Sequence, residues 1–541
     1  MSKSLLFILL FFIDIAWWLY RDTFGAGLVT DQVGWLMTYE HFGWRGMFHA
    51  FNDKSLHLVY HWFGFGLWKL FGWDGIGWGI SFIALHAVVA TLSYSVFSQL
   101  LLRLKISSVH LIAFFGSLIF LVSPYHTEPL VWYACMHYLV CSILLLLSIQ
   151  QFLNYIQNHL STYVLRFYLF FALAVFTLEI SFTLPLIITA LIILLPQTEI
   201  TKNKLHLFLA FVLPSFLLVG FYFLMNYFLK GSAAGHYGAA THFNFSIPLI
   251  MGNLSKYAAK VFGFTQFLPY EKRNLLYLFF EKSKYGYLLF GVLLGVATLA
   301  LWQLNRLPKS IRYFLFLVAA FAFALAPIIN LFFSSIVNVE GDRLSYWANL
   351  FSAQLVSFAL ISLFSYFGVA LVLVYLFFSV QFLHVNTQAW ASNKVIQTSL
   401  LQSFSAEKAD HIYLLNVPDN FNGSYMFRSF APDNSFAETL WLKEGMDIRP
   451  KVTQVLSYNM IKLNDGVSVE VVDSNSLKVT FNQWGNWWWQ GGIGAANYST
   501  ADFTVVIDEW SHSYTISFKT KKSNAVYLYQ DGGIWKKVGG F

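Results

Sequence analysis

The chain has 541 residues, 57% of them hydrophobic and 11% charged, with a mean hydropathy of +0.57 and a formal net charge of +7. An average soluble domain carries roughly twice that charged fraction, so the composition excludes a soluble enzyme, a disordered chain and a fibrous protein, and leaves a polytopic α-helical membrane protein. Residues 394–541 carry a net −1 and residues 1–393 a net +8; that basic excess suits lipid head groups or phosphates, and no nucleic-acid-reading motif is present.

Residues 1–20 hold one early lysine, Lys3, and then an apolar run. No small-residue cleavage site follows, so the run reads as a retained first span rather than a signal peptide. Stretches free of Asp, Glu, Lys and Arg then mark one span each in 75–102, 106–127, 129–165, 167–178, 180–198, 205–229, 285–305 and 313–339, and two in 344–393 around a turn at Ser365–Gly368. The expected total is about eleven transmembrane helices. Arg103 and Lys105, Arg166, Lys202 and Lys204, and Arg306, Lys309 and Arg312 then fall on one side, which the positive-inside bias makes cytoplasmic. Two long loops, 21–74 and 231–284, face the other side; aromatic residues such as Trp35, Trp44 and Trp68 suggest interfacial helices in the first. Cys135 and Cys141 lie in an apolar run and read as membrane-core residues, not as a disulfide or zinc framework.

From Ala391 the composition changes. Segments 411–417, 468–481, 503–507, 514–519 and 525–529 are strand-like, and the pairs Asn422-Gly423, Asp465-Gly466 and Asp531-Gly532 punctuate them. The expected organisation is a membrane domain at 1–390 and an extracytoplasmic soluble α+β or β-rich domain at 391–541.

Ionisable groups at membrane depth are costly and mark function. Asp31 suits a general base, or the cap of an interfacial helix. Ser123-Pro124-Tyr125-His126-Thr127-Glu128-Pro129 places an imidazole and a carboxylate in a tight link, either orienting a base or sugar hydroxyl or forming a hydrophilic turn. Glu179 interrupts an uncharged run, as a functional carboxylate or a buried structural partner. Arg343, in Glu340-Gly341-Asp342-Arg343-Leu344-Ser345-Tyr346, offers a fork that matches phosphate, or else snorkels to the interface. His236, Tyr237 and His242 lack metal-ligand spacing, so no metal site is expected, although a divalent ion is left open. Trp484, Trp487, Trp488 and Trp489 form either a sugar platform or an interfacial anchor. P-loop, dinucleotide fingerprint, nucleophile elbow and zincin motif are all absent, which leaves ATP hydrolysis and hydride transfer without machinery.

Four segments taken in order resemble the GT-C superfamily of polyprenyl-phosphate-dependent glycosyltransferases, nearest to its protein O-mannosyltransferase-like and TMTC-like branch. They are Thr30-Asp31-Gln32, the helix around His86, the Ser123–Trp132 segment and Asp342-Arg343-Leu344-Ser345-Tyr346. Leu178-Glu179 with Leu184-Pro185 adds a fifth likeness. The sequence departs from the branch where Gln32 follows Asp31, where Ser123 replaces a histidine, where Leu178 replaces a lysine, and in the stretch Ala134-Cys135-Met136-His137.

The resemblance implies inverting transfer of a sugar from a polyprenyl-phosphate carrier, with no resident cofactor, to a glycan, lipid or protein acceptor. Asp31 would be the base, and Arg343 and Tyr346 would hold the donor phosphate. His126, Glu128, Glu179 and Asp342 would shape the pocket. The expected location is the bacterial inner membrane, in contact with membrane lipid. The alternative is a catalytically inactive relative acting in transport or assembly of envelope glycans.

Overall fold

In lipid every backbone N–H and C=O must be satisfied within its own segment, so apolar runs become helices. The computed structural model describes residues 3–49, 56–196, 203–231, 245–332, 341–405, 409–428, 435–481, 497–508 and 512–541. Among them, seven segments are long and apolar enough to cross a membrane: Lys3–Thr23, Gly75–Arg103, Tyr133–Asn158, Lys204–Lys230, Ser283–Trp302, Lys309–Ile328 and Asp342–Ser403. The pair Val109–Leu121 and Pro124–Val131, bent by 55°, makes an eighth. The protein is a multi-pass α-helical membrane protein with a β-rich C-terminal domain.

Among the described residues, seven such segments, or eight with the bent pair, stand against the eleven expected. Ser161–Val175 and Glu179–Leu194 are shorter apolar helices. At 1.5 Å per residue they reach about 22–24 Å, against about 30 Å of hydrocarbon. The two arms expected in 344–393 are present within Tyr346–Ser403, and the second runs past position 391. The segment reverses at Ser365, whose φ of 48° and ψ of −122° break the helical backbone. Gly368 then passes so close to Leu360 that a Cβ would lie 2.1 Å from the Leu360 carbonyl oxygen. A side chain there would hold the two arms apart. The amide of Gln354 glues the first arm to its neighbours, donating to the hydroxyls of Ser93 and Ser117, each at 3.3 Å.

This reversal fixes the two ends of the bundle. Lys105, Lys309 and Ser365 line one crevice of about 970 Å³ at one end. Gly75 starts the helix that ends at Arg103, and Arg343 lies one helical arm away from Ser365. Gly75 and Arg343 therefore sit at the opposite end from the basic loops. The first long loop folds there into Asp31–Phe42, Gly46–His49 and Leu58–Phe71, and leaves Trp44, Trp62 and Leu70 exposed.

The C-terminal part has its own core around Leu414, Val417, Leu477 and Ile516. His411–Leu414 is the centre of a sheet, with Ala525–Asp531 and Val452–Gln454 parallel on either side and Ile534–Lys537 as an antiparallel edge. A second, antiparallel sheet runs in the order Ser468–Val471, Ser476–Thr480, Ser513–Phe518, Phe503–Ile507, Tyr498–Ser499. A small third sheet pairs Val417–Phe421 with Ser424–Tyr425 and Ser457–Met460. The helix Ser435–Glu444 packs on Asp31–Phe42, so this domain sits over the rim that carries Asp31.

Candidate functional site

The site is built on three loops that meet at Trp132. The first descends from Lys3–Tyr20. Gly27 comes so close to Val131 that a Cβ would lie 1.5 Å from the Val131 carbonyl oxygen, and its own carbonyl accepts from Tyr133 N–H at 3.3 Å. Thr30 follows with φ 49° and ψ −124°, a strained backbone for a β-branched residue. The turn makes Asp31 the first helical residue. Thr30, at the cap position, makes no side-chain cap bond and instead donates its hydroxyl to Asp31 Oδ1 at 3.4 Å. The indole N–H of Trp132 donates to Val29 O at 3.4 Å, and this holds the loop two residues before Asp31.

The second loop is the link Ser123–Trp132. Ser123 Oγ accepts from Tyr125 N–H at 3.4 Å and opens a short turn that Pro124 starts. Glu128 is then carried inward with a side-chain exposure of 1%. The third is the start of the last membrane segment. Gly341, at φ 81°, turns the chain so that the Arg343 backbone N–H donates to Glu128 Oε2 at 2.8 Å, while Nη1 forms an ion pair with Glu128 Oε1. The guanidinium carbon lies 5.2 Å from the Trp132 ring centroid, and the side chain keeps 12% exposure. Trp132 thus touches both the Asp31 loop and Arg343. The charges of Arg343, Glu128 and Asp31 all act on the neighbouring Cys135 thiol.

A second cluster adjoins Asp31. Tyr60 donates to Gln32 Oε1 at 3.2 Å, and its ring meets His137 edge-on at 5.3 Å. Burial pushes the Tyr60 phenol well above its ordinary range, and the nearby Asp31 carboxylate adds to the effect. His137 stacks on His57 at 5.7 Å, and His57 Nε2 lies 3.2 Å from Glu179 Oε2. Glu179 therefore enters this cluster through His57, separate from the Arg343 pair.

Tyr346 and His126 lie deeper, both fully buried. His86 Nε2 faces the Leu121 carbonyl at 3.1 Å, so that nitrogen carries the proton, and Nδ1 accepts from the Tyr346 hydroxyl at 2.8 Å. The amide of Asn349 donates to His126 Nε2 at 3.2 Å. Asp342 pairs with Lys260 at 2.6 Å, and Lys260 also stands over the Tyr125 ring at 5.3 Å. The structure thus brings Asp31, Glu128, Asp342 and Arg343 to one rim. Tyr346 and His126 are held in a hydrogen-bonded core behind it.

Sequence reasoning missed Lys260, His57, His137 and Tyr425. Lys260 had a signal: helix Ile247–Gly263 buries Asn253, Lys256, Tyr257 and Lys260, a polar stripe at helical spacing facing inward. His57, His137 and Tyr425 had none in local spacing. His236, Tyr237, His242, Glu340, Trp484, Trp487, Trp488 and Trp489 lie outside the described residues. Among the described residues, no group of three or more His, Cys, Asp or Glu side chains is arranged to hold a metal ion.

No family model and no curated protein matches the chain. Two similar solved structures are crystal structures of ArnT from Cupriavidus metallidurans. The apo form is 14% identical, with 82% of this chain and 85% of that chain covered and a TM-score of 0.34. The form bound to undecaprenyl phosphate is 14% identical, with 87% and 97% covered and a TM-score of 0.33. Likenesses of that degree leave function to be judged from this chain's own residues.

Proposed function

We propose that the chain is an inverting membrane glycosyltransferase of the GT-C class, taking its sugar from a polyprenyl-phosphate carrier. The protein O-mannosyltransferase-like branch is the finer reading and rests on the ordered segments alone. The observation that carries the proposal is the Trp132 bridge, which joins the Asp31 loop to Arg343 at the end of the bundle away from the basic loops. A carboxylate and a guanidinium on one rim are the two groups that transfer from a phosphate leaving group needs.

Asp31 removes the proton of the acceptor hydroxyl, and that oxygen attacks the anomeric carbon as the bond to the phosphate oxygen breaks. The phosphate departs with the electron pair, and Arg343 stabilises the charge that develops on it. Glu128 takes the role of orienting Arg343 through its two contacts, while Asp342, the residue before it, is anchored by Lys260. Tyr346, His126 and His86 brace the wall behind. Glu179 and His57 border the acceptor side near Asp31. The positive-inside bias supports a rim outside the cytoplasm, and our reading sets it in a bacterial inner membrane.

The test is the envelope glycolipid profile of a strain carrying Asp31→Asn, compared with wild type and a null strain. Enzymatic transfer makes the Asp31→Asn profile match the null. The pairing of Arg343 with a buried carboxylate favours one other reading, a non-catalytic relative in glycan transport or assembly. A wild-type profile in Asp31→Asn beside a changed null profile decides for it.

A further inference from the structure

We infer that the C-terminal domain supplies part of the site: Tyr425 is a positioning residue for Arg343. The inference rests on the reading of Arg343 as the phosphate-binding group.

Tyr425 belongs to the small sheet of the C-terminal domain, paired through Asn420 and linked by the Asn422-Gly423 turn, where Gly423 adopts φ 84°. The domain reaches down at this point. The Tyr425 ring stands edge-on to Trp132, with centroids 4.5 Å apart and planes at 61°. Its hydroxyl accepts from Arg343 Nη1 at 3.4 Å. Nη1 carries two hydrogens, and its two named acceptors, Glu128 Oε1 and Tyr425 Oη, come from opposite sides of the domain junction. The guanidinium carbon stands over the Trp132 ring, 5.2 Å from its centroid. Two acceptors on one nitrogen and an aromatic ring beside the cation restrict how a planar fork can turn.

The chemistry of the second acceptor matters. A phenol hydroxyl orients the fork without adding negative charge. A second carboxylate there would cancel the positive charge that an incoming phosphate needs. Tyr425 is itself held from two directions. Its carbonyl accepts from Asn393 Nδ2 at 2.7 Å, and the Ser424 carbonyl accepts from the same nitrogen at 2.9 Å. Asn393 Oδ1 accepts from Gln397, whose Nε2 also reaches Ala26 O at 3.3 Å on the Asp31 loop. The Arg428 guanidinium carbon stands 4.4 Å from the ring centroid, and its own charge is balanced by a two-point pair with buried Asp419, at 2.9 and 2.7 Å. One chain of contacts therefore links the Asp31 loop, the last helix, Tyr425 and Arg343. A domain that merely hung beside the membrane part would need none of them.

The experiment measures binding of undecaprenyl phosphate to the full-length protein in lipid nanodiscs, for wild type, Arg343→Ala, Tyr425→Phe and Tyr425→Ala, with an apparent Tm for each. Loss of one hydrogen bond makes Kd rise about threefold in Tyr425→Phe, which keeps the ring and the wild-type Tm. Loss of ring and hydroxyl makes it rise about tenfold in Tyr425→Ala. A purely structural role would not couple to the shape of the cation. In an Arg343→Lys background, where no fork remains to be oriented, Tyr425→Phe changes Kd by less than about 1.5-fold. Unchanged Kd in both Tyr425 variants while Arg343→Ala loses binding overturns the inference and leaves the functional reading standing. Equal losses from Tyr425→Phe in the arginine and lysine backgrounds overturn it as well. A wild-type protein that does not bind undecaprenyl phosphate overturns both.

Discussion

The pair between Arg343 and Glu128 sets a quantitative test. Replacing Arg343 with methionine removes the ion pair, the contact to Tyr425 at 3.4 Å and the cation above Trp132 at 5.2 Å. It leaves a carboxylate of 1% exposure without its guanidinium, with the residue-343 backbone N–H still donating at 2.8 Å. Breaking a buried pair from one side costs about 3–5 kcal/mol. The retained backbone bond and the 12% exposure of Arg343 put this case near the lower end, at about 3 kcal/mol. Glu128→Leu strands the guanidinium instead and costs a similar amount. The double variant strands no charge and lies within about 1 kcal/mol of wild type. The double-mutant cycle, measured by reversible unfolding of the full-length protein in mixed micelles, therefore gives a coupling of several kcal/mol. Single losses that add in the double variant to within about 0.5 kcal/mol would refute the reasoning, because two charges sharing one enclosed bond cannot be independent.

Two further outcomes follow from backbone geometry. Ser365 is exposed and holds φ 48°, ψ −122°, so Ser365→Gly raises stability by about 1 kcal/mol and Ser365→Val lowers it, read as shifts of apparent Tm. Gly27→Ala drives a methyl group into the Val131 carbonyl oxygen, 1.5 Å away. It displaces the Asp31 loop from Trp132, and transfer activity falls at least about a hundredfold, measured as glycolipid product, with a lower Tm.

Hydropathy made most of the membrane part legible because the bilayer demands long uncharged helices. It does not separate a charge-free run that faces lipid from one that faces protein. The stretches on either side of Glu179 lack charges because Ile180 and Leu184 are packed inside the protein, and that core asks for the same residues as lipid does. In the C-terminal domain, alternation located Phe503–Ile507 as a strand. The strand-like segment at 468–481 is a hairpin, turned where the Asn475 N–H donates to Asp473 at 2.7 Å. The partners of the site residues were another matter. Glu128 and Arg343 are 215 positions apart, and nothing in local spacing says that they meet. Tyr425 lies further along still, in a domain whose strands carry no sign of the membrane part. The inward polar stripe of Ile247–Gly263 was readable, because four polar residues on one face of an otherwise apolar helix must face something that answers them.

The wide separation of the paired charges has a consequence for biosynthesis. Glu128 and Lys260 leave the ribosome well before Asp342 and Arg343, which answer both of them in two adjacent residues. Until the last membrane hairpin is made, the nascent chain carries an uncompensated acid and an uncompensated base at its outer rim. Both are neutralised in a single event when that hairpin docks. Chains truncated before Asp342 are thus exposed to membrane quality-control proteases in a way that chains ending soon after Ser403 are not.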